Sequence, residues 1–588
     1  MVERDGVALR QPRGRKAWGL LGYLLLAERP PSRRRLSELF FADADDPLGA
    51  LRWSLAELRR AIGVPGLLTG DPVLAAVAAA VNVDVLRLAA ADDDELLAAG
   101  ELLEGIELES CAEFESWLLL ERHRVASEIE AQVRQRAISR LASGRAKEAV
   151  PFAAKAVAVN PHEQGNHELL IRSLAASGDR AAALRQIAHC VDLFRRELGV
   201  EVTSSLHEAA TLSPDPRPQL SGRAAAVSQL QAGRAAIVAG AVDAGLQCLR
   251  QAAALAVQCR DQTLEARALA ALGGALVHAI RGHDEEGAIV LHEALLVAEQ
   301  AGERSTAVLA LRELGFIEVQ AGRRRTADVW LTRAQEAAES ADERAAILGV
   351  RGMNSSDRGN YPAAFEQLGE SVELAAGCGD PRQQAWSLSL VGRAHLLRGE
   401  YVAAAVAVRG SLELVRRERW IAFLPWPQAL AAELDLYAGN LVDSASGLEE
   451  SWALACQLND PCWEGMAGRG LALLHSARGE HSAAAGWLDR ALSCAGREPD
   501  RYQWVHAHVL DAAVTGALAG GEADRARPLA TALANLAAHC DLRELLVRAH
   551  LHLSDLGDPQ AGTRARALTL SIDNPRLHAL LQPDSARS

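Results

Sequence analysis

Lysine is almost missing from this chain of 588 residues: Lys16, Lys147 and Lys155 are the only three. None sits in a GxxxxGK[ST] loop, so a Walker-type NTPase is excluded. GxGxxG, GxSxG and HExxH are lacking too, and His162 and His167 stand one residue too far apart for the zinc motif. His506 with His508, and His550 with His552, are i, i+2 pairs on expected helices, where side chains diverge, which argues against a metal site. The nine cysteines form no CxxC pair and are odd in number, the pattern of small buried side chains in a reducing compartment. Aromatics make up 4% and β-branched clusters are few, so helix is favoured throughout. No βα receiver unit flanks the start of the chain. We expect no cofactor, no metal and no enzymatic activity.

Long apolar runs are scarce as well. Residues 18–27, WGLLGYLLLA, are too short to span a bilayer and lead into ERPPSRRR rather than a cleavage site. They read as a buried helix of a cytoplasmic protein without membrane contact. The formal charge is −14, which excludes a nucleic-acid coat or a polybasic membrane binder. Residues 1–70 nevertheless carry +4, leaving −18 for the rest, so any DNA contact must be local to this head.

The head is organised around residues 47–62, PLGALRWSLAELRRAI. Leu51, Leu55, Leu58 and Ile62 share one helix face. At about 100° per residue, Arg52 and Arg59 lie roughly 20° apart on its flank, with Trp53 and Arg60 further round. A short helix with a leucine seam and a basic outer face suits the DNA major groove; an ordinary solvated face is the plainer reading. Upstream, residues 6–9 read as a short strand and residues 15–27 as a helix stopped by Pro30 and Pro31. Ser32 caps the next helix, which places Arg33, Arg34 and Arg35 in its first turn, against the dipole, where a phosphate would relieve them. Residues 63–88, with Gly66, Gly70 and the alternating VNVDV of 81–85, suggest a hairpin. Three helices and a hairpin make a winged helix-turn-helix.

Two further blocks follow. Gly144 and Gly178 end matching patterns 34 residues apart, the tetratricopeptide (TPR) period. After three prolines within residues 213–218, Gly240, Gly282, Gly322, Gly359, Gly399, Gly439, Gly479, Gly520 and Gly557 recur at intervals near 40, which indicates an α-solenoid of nine TPR-like repeats. Its concave groove would take a peptide or protein effector. Trp386, Trp420, Trp426, Trp452, Trp463, Trp487 and Trp504 are expected to pack between repeats, with a ligand-lining aromatic wall as the alternative.

RKAWGLLGYLLL, PPSRRRLSELFFADADD and LGALRWSLAELRRAIG, within residues 15–63, resemble the OmpR-type DNA-binding domain of the SARP family of bacterial transcriptional activators. LLEGIELESCAEFESWLLLER and RRELGVEVTSS, within 102–210, resemble the bacterial transcriptional activation domain that follows it in that family. The resemblance implies a recognition helix at 47–62, RNA polymerase contact or dimerisation through the middle, and binding to promoter DNA, with a homodimer on the DNA possible. Against the family pattern, residues 64–94 hold a single base, Arg87, where the wing is normally basic. The expected chain is mainly α: winged helix at 1–95, activation domain at 100–210, Pro-rich linker at 211–221 and solenoid at 222–588. Residues 1–212 are expected to fold without the tail. The function expected is a sequence-specific activator whose repeats sense a signal; the alternative is a TPR scaffold whose winged helix no longer binds DNA.

Overall fold

In the computed structural model the residues described are 3–4, 7–8, 11–27, 29–63, 67–75, 83–108, 110–200, 202, 205–210, 222–499 and 501–581. The chain is mainly α-helical and divides into two compact units. The first holds Met1–Ile129 with Pro559–Arg564, the second Glu130–Asp558 with Ala565–Ser588.

In the first unit, Val7–Ala8 pairs antiparallel with Glu3–Arg4, while Gly6 and Leu9 fall outside the described residues. Helix α1 spans Arg15–Leu26, α2 Arg33–Phe41 and α3 Pro47–Ile62. Local chemistry sets their ends. The Ser32 hydroxyl accepts the Arg35 N–H at 3.1 Å and the Asp46 carboxylate accepts the Gly49 N–H at 2.8 Å, each satisfying a donor that a helix start leaves open. Gly63 closes α3 at φ 67°, a left-handed conformation that glycine adopts without strain. The four apolar residues of α3 are buried against Leu20, Leu36, Phe40, Phe114 and Leu118. Of the expected hairpin, the described residues hold one isolated bridge, Thr69 to Leu74, and residues 64–66 and 76–82 lie outside the described set. Residues 84–86 do not continue a strand: the Asp84 carboxylate accepts the Val85 N–H at 2.8 Å and closes a 3-10 turn instead. Helix α4, Asp93–Ala98, begins with a reciprocal Asp92–Glu95 capping box.

Helix α5, Ala112–Ala142, runs across the boundary between the units. It leads to α6 (Ala146–Val159), α7 (Gln164–Ala176), α8 (Arg180–Leu193) and the short α9 (Ser205–Ala209). Residues 130–210 therefore share a unit with the array, unlike the division at 212 that the prolines suggest. The reason is side-chain bonding that the linker composition does not reveal. Arg134 on α5, 2% exposed, donates to Asn166 at 2.6 Å and pairs with Glu285 of the array, while Glu130 pairs with His539 at 3.5 Å. Residues 211–221 lie outside the described set.

Beyond residue 222 come antiparallel helix pairs, from Arg223–Val238 with Val242–Gln258 to Gln503–Ala519 with Ala523–His539. Arg543–Asp555 and Ala561–Thr569 follow in sequence. Eight of the nine expected glycines turn one helix into the next at positive φ; at the remaining turn Gly521, not Gly520, takes that conformation. A second set of glycines lets the helices of a pair touch. A Cβ on Gly233 or Gly315 would meet Leu249 or Leu331 at 2.7 Å. The array also curls on itself. Arg281 meets Asp460, Arg358 meets Asp541 and Tyr361 meets Glu544, pairs separated by 179, 183 and 183 residues. Among the described residues, no helix is long and apolar enough to cross a membrane.

Candidate functional site

On the head, the arginines divide into two groups. Arg33, Arg35 and Arg59 are partly exposed and bonded to other segments of the head. Arg33 Nε donates to the Gly70 carbonyl at 3.0 Å, and Arg35 pairs with Glu113 at 2.6 Å. Arg59 donates through Nε and Nη2 to the Leu68 carbonyl at 3.1 and 2.5 Å. This follows from the left-handed turn at Gly63, which sends the chain back across the last turn of α3. Arg34, Arg52, Trp53 and Arg60 project outward. Arg34 is 89% exposed and pairs with Glu38 one turn on. Arg52 donates to the Leu48 carbonyl at 3.2 Å and lies 3.7 Å from Asp46; Arg60 pairs with Glu57 at 3.0 Å. Arg52, Trp53, Ala56 and Arg60 thus form one outward stripe on α3, opposite its buried leucines. Arg52 and Arg59, placed together by helical spacing, do different things.

The second unit contains a cavity of about 700 Å³ lined by the first helices of consecutive repeat pairs. Phe316 comes from Arg304–Gln320, Met353 from Ala341–Asp357, Trp386 from Pro381–Arg398, Trp426 from Pro425–Tyr437 and Trp463 from Pro461–Ala477. Trp420 and Phe423, on the connection before Trp426, stack at 4.5 Å, and Trp426 lies 5.2 Å from Trp463. Trp426 donates its indole N–H to Ser389 at 3.1 Å and Trp463 to the Ala422 carbonyl at 3.2 Å, which fixes both rings. Four of the seven tryptophans therefore line a cavity, as the alternative of an aromatic wall has it, while Trp426, 3% exposed, also packs between repeats. Trp452 and Trp487 do pack there, edge to face at 5.0 Å, and Trp504 is buried beneath the Arg393 guanidinium at 4.2 Å. Sequence spacing missed this because it reports which helix face a residue occupies, not whether the next turn of the array covers that face.

Charged groups of the lining are largely paired. Glu313, 5% exposed, accepts from His278 at 2.7 Å and from Arg312 at 2.5 Å. Burial would raise its carboxyl, but the Arg312 and His278 charges outweigh burial and hold it at about 2. Arg281 grips Asp460 with two donors at 2.5 and 3.0 Å. Below the cavity the buried Asp357 carboxylate gathers Arg324 at 2.9 Å, Arg393 at 2.6 Å and the Tyr502 hydroxyl at 2.9 Å. Tyr502 also lines the cavity, so this cluster forms its floor.

Comparison with known proteins assigns one block. Residues 78–211 match the family model described as "Bacterial transcriptional activator domain". No curated protein matches the chain. Among solved structures, the chain is similar to a Rap protein complexed with competence and sporulation factor, at 12% identity and a TM-score of 0.44, covering 61% of this chain and 99% of that one. It is also similar to aspartyl phosphate phosphatase F from Bacillus subtilis, at 9% identity and a TM-score of 0.37, covering 69% and 93%. Yeast Tom70 matches at 14% identity and a TM-score of 0.30, covering 78% and 95%. The family match coincides with the block whose opening and closing motifs resemble that domain, and it suggests a transcriptional activator.

Proposed function

We propose that this chain is a sequence-specific DNA-binding transcriptional activator. The observation that carries the reading is the family match over residues 78–211, which follows helix α3 with Arg52, Trp53 and Arg60 on one outward stripe. In this reading residues 1–95 are an OmpR-type winged helix, as in the SARP family, with α3 in the major groove of promoter DNA. Arg52 and Arg60 contact base edges, and Arg34 a phosphate. Arg33, Arg35 and Arg59 position the head. Residues 100–210 contact RNA polymerase, and two copies bind together on repeated half-sites. Residues 222–588 sense a signal, with a peptide or protein effector at the array. A solenoid can transmit such a signal only when its ligand binds two arrangements with different affinity.

The internal partners of Arg33, Arg35 and Arg59 favour a second reading, a TPR scaffold whose head no longer binds DNA. A mobility-shift assay with the upstream region of the chain's own gene, at two salt concentrations, separates the two. Specific binding that weakens as salt rises supports the activator. Equal, weak retention of any sequence supports the scaffold.

A further inference from the structure

We infer that the cavity in the array is a binding site for a small aromatic carboxylate, a flat body of one or two rings bearing one acid group. The inference builds on the reading of the array as the sensing part, but it does not require the head to bind DNA.

Size and walls set the body of the ligand. A volume of about 700 Å³ falls within the roughly 300–1,000 Å³ typical of small-molecule pockets. Trp386, Trp420 and Trp463 line the cavity with aromatic surface, and aromatic faces pair best with another flat ring. The indole N–H of Trp463 is already bonded within the chain, so this ring offers surface rather than a hydrogen bond.

The polar groups set the charge. Of the three carboxylates in the lining, Glu313 and Asp460 are in ion pairs, and Asp380 caps the helix Pro381–Arg398 by accepting the Gln383 N–H at 3.0 Å. The helix N-terminus offsets the Asp380 charge. Of the three guanidinium groups, those of Arg281 and Arg312 are paired with these same carboxylates. That of Arg382 lies over the Trp420 ring at 5.6 Å and, among the described residues, is joined to no carboxylate. Among the described residues of the lining, the exposed guanidinium of Arg382 is thus the charged donor left open. The complement is an acceptor-rich anion attached to a ring.

The test titrates the full chain with 2-naphthoate, neutral 2-naphthylmethanol and 2-naphthylmethylammonium, followed by calorimetry and tryptophan fluorescence. Naphthoate should saturate one site per chain and bind roughly tenfold or more tighter than the alcohol, as a charge-assisted hydrogen bond requires. Arg382→Gln should remove that margin and Arg382→Lys restore part of it. Both variants alter an exposed side chain, and an unchanged melting temperature will verify that they fold. The assignment is overturned if the ammonium probe matches naphthoate, if acid and alcohol bind alike, if Arg382→Gln changes nothing, or if no probe binds. It is also overturned in favour of a peptide if Gly-Gly-Gly-Trp with a free C-terminus binds tenfold tighter than naphthoate. Promoter binding is absent from every arm, so the DNA-binding reading can fail while this one stands.

Discussion

The head and the array solve the problem of a core in opposite ways. In the head, Leu20, Leu36, Phe40, Leu55, Leu58 and Phe114 interdigitate, and arginine stays at or near the surface. In the array, neighbouring helices touch through glycine and alanine, and arginine moves inside: Arg324, Arg393 and Arg469 are all under 8% exposed. The difference teaches that burial of apolar surface fixes the head, whereas the array depends on buried ion pairs to hold successive turns in register. Such pairs add little net stability over apolar replacements, yet breaking one leaves a charge stranded.

The largest effect should follow from Asp357→Ala, which strands both Arg324 and Arg393. We expect a loss of about 3–5 kcal/mol from the array in denaturant unfolding. A loss below about 1 kcal/mol would mean that these pairs do not hold the turns. Leu58→Ala should cost the head about 3 kcal/mol through the cavity left behind. Calorimetry should show that loss in the head's transition and leave the array's unchanged. Coincident shifts in both would break the comparison.

Smaller effects concern the outward stripe of α3. Arg52→Ala and Arg60→Ala should each weaken specific promoter binding by roughly 1–3 kcal/mol. Arg34→Ala should weaken all sequences alike and lower the salt slope by about one unit. Arg59→Ala should instead destabilise the head by about 1 kcal/mol, since its guanidinium holds the Leu68 carbonyl. Melting curves and gel shifts on the same variants distinguish the two roles.

The smallest effect is on pH dependence within the second unit. Burial, above all, pushes the carboxyls of Asp284 and Glu168 up to about 7. Their contribution is therefore whole below pH 4 and is lost as pH rises through 7. Asp284→Asn and Glu168→Gln should raise the melting temperature at pH 8 by a few degrees and leave it nearly unchanged at pH 4. Glu313, held at about 2, behaves oppositely: its contribution is present above about 4.5 and lost as pH falls toward 2.

Much of the fold was legible because it is locally encoded. Ser32 and Asp46 announce the starts of α2 and α3, and the glycine row announces the helix pairs. Legibility fails where a feature depends on distant chain. Helical spacing puts Arg52 beside Arg59 but cannot show that Leu68 returns to take one of them. In a Gly-Gly turn such as residues 520–521, either glycine fits the left-handed position, and only the packed helices choose Gly521. The cavity was hidden for the same reason, since its wall joins Phe316 to Trp463 across 147 residues and no local pattern spans them.

Repeat arrays ordinarily lengthen or shorten by whole units, because each repeat touches only its neighbours. The clasps at Arg281–Asp460, Arg358–Asp541 and Tyr361–Glu544 remove that freedom. Duplicating or deleting a single repeat between residues 361 and 460, which lie within all three, would slide every clasp by about 40 residues and set Arg281, Arg358 and Tyr361 opposite the wrong side chains. The number of repeats in this stretch is thus locked, as the length of a closed ring is locked. Its lineage can vary by substitution within repeats far more easily than by the gain or loss of one.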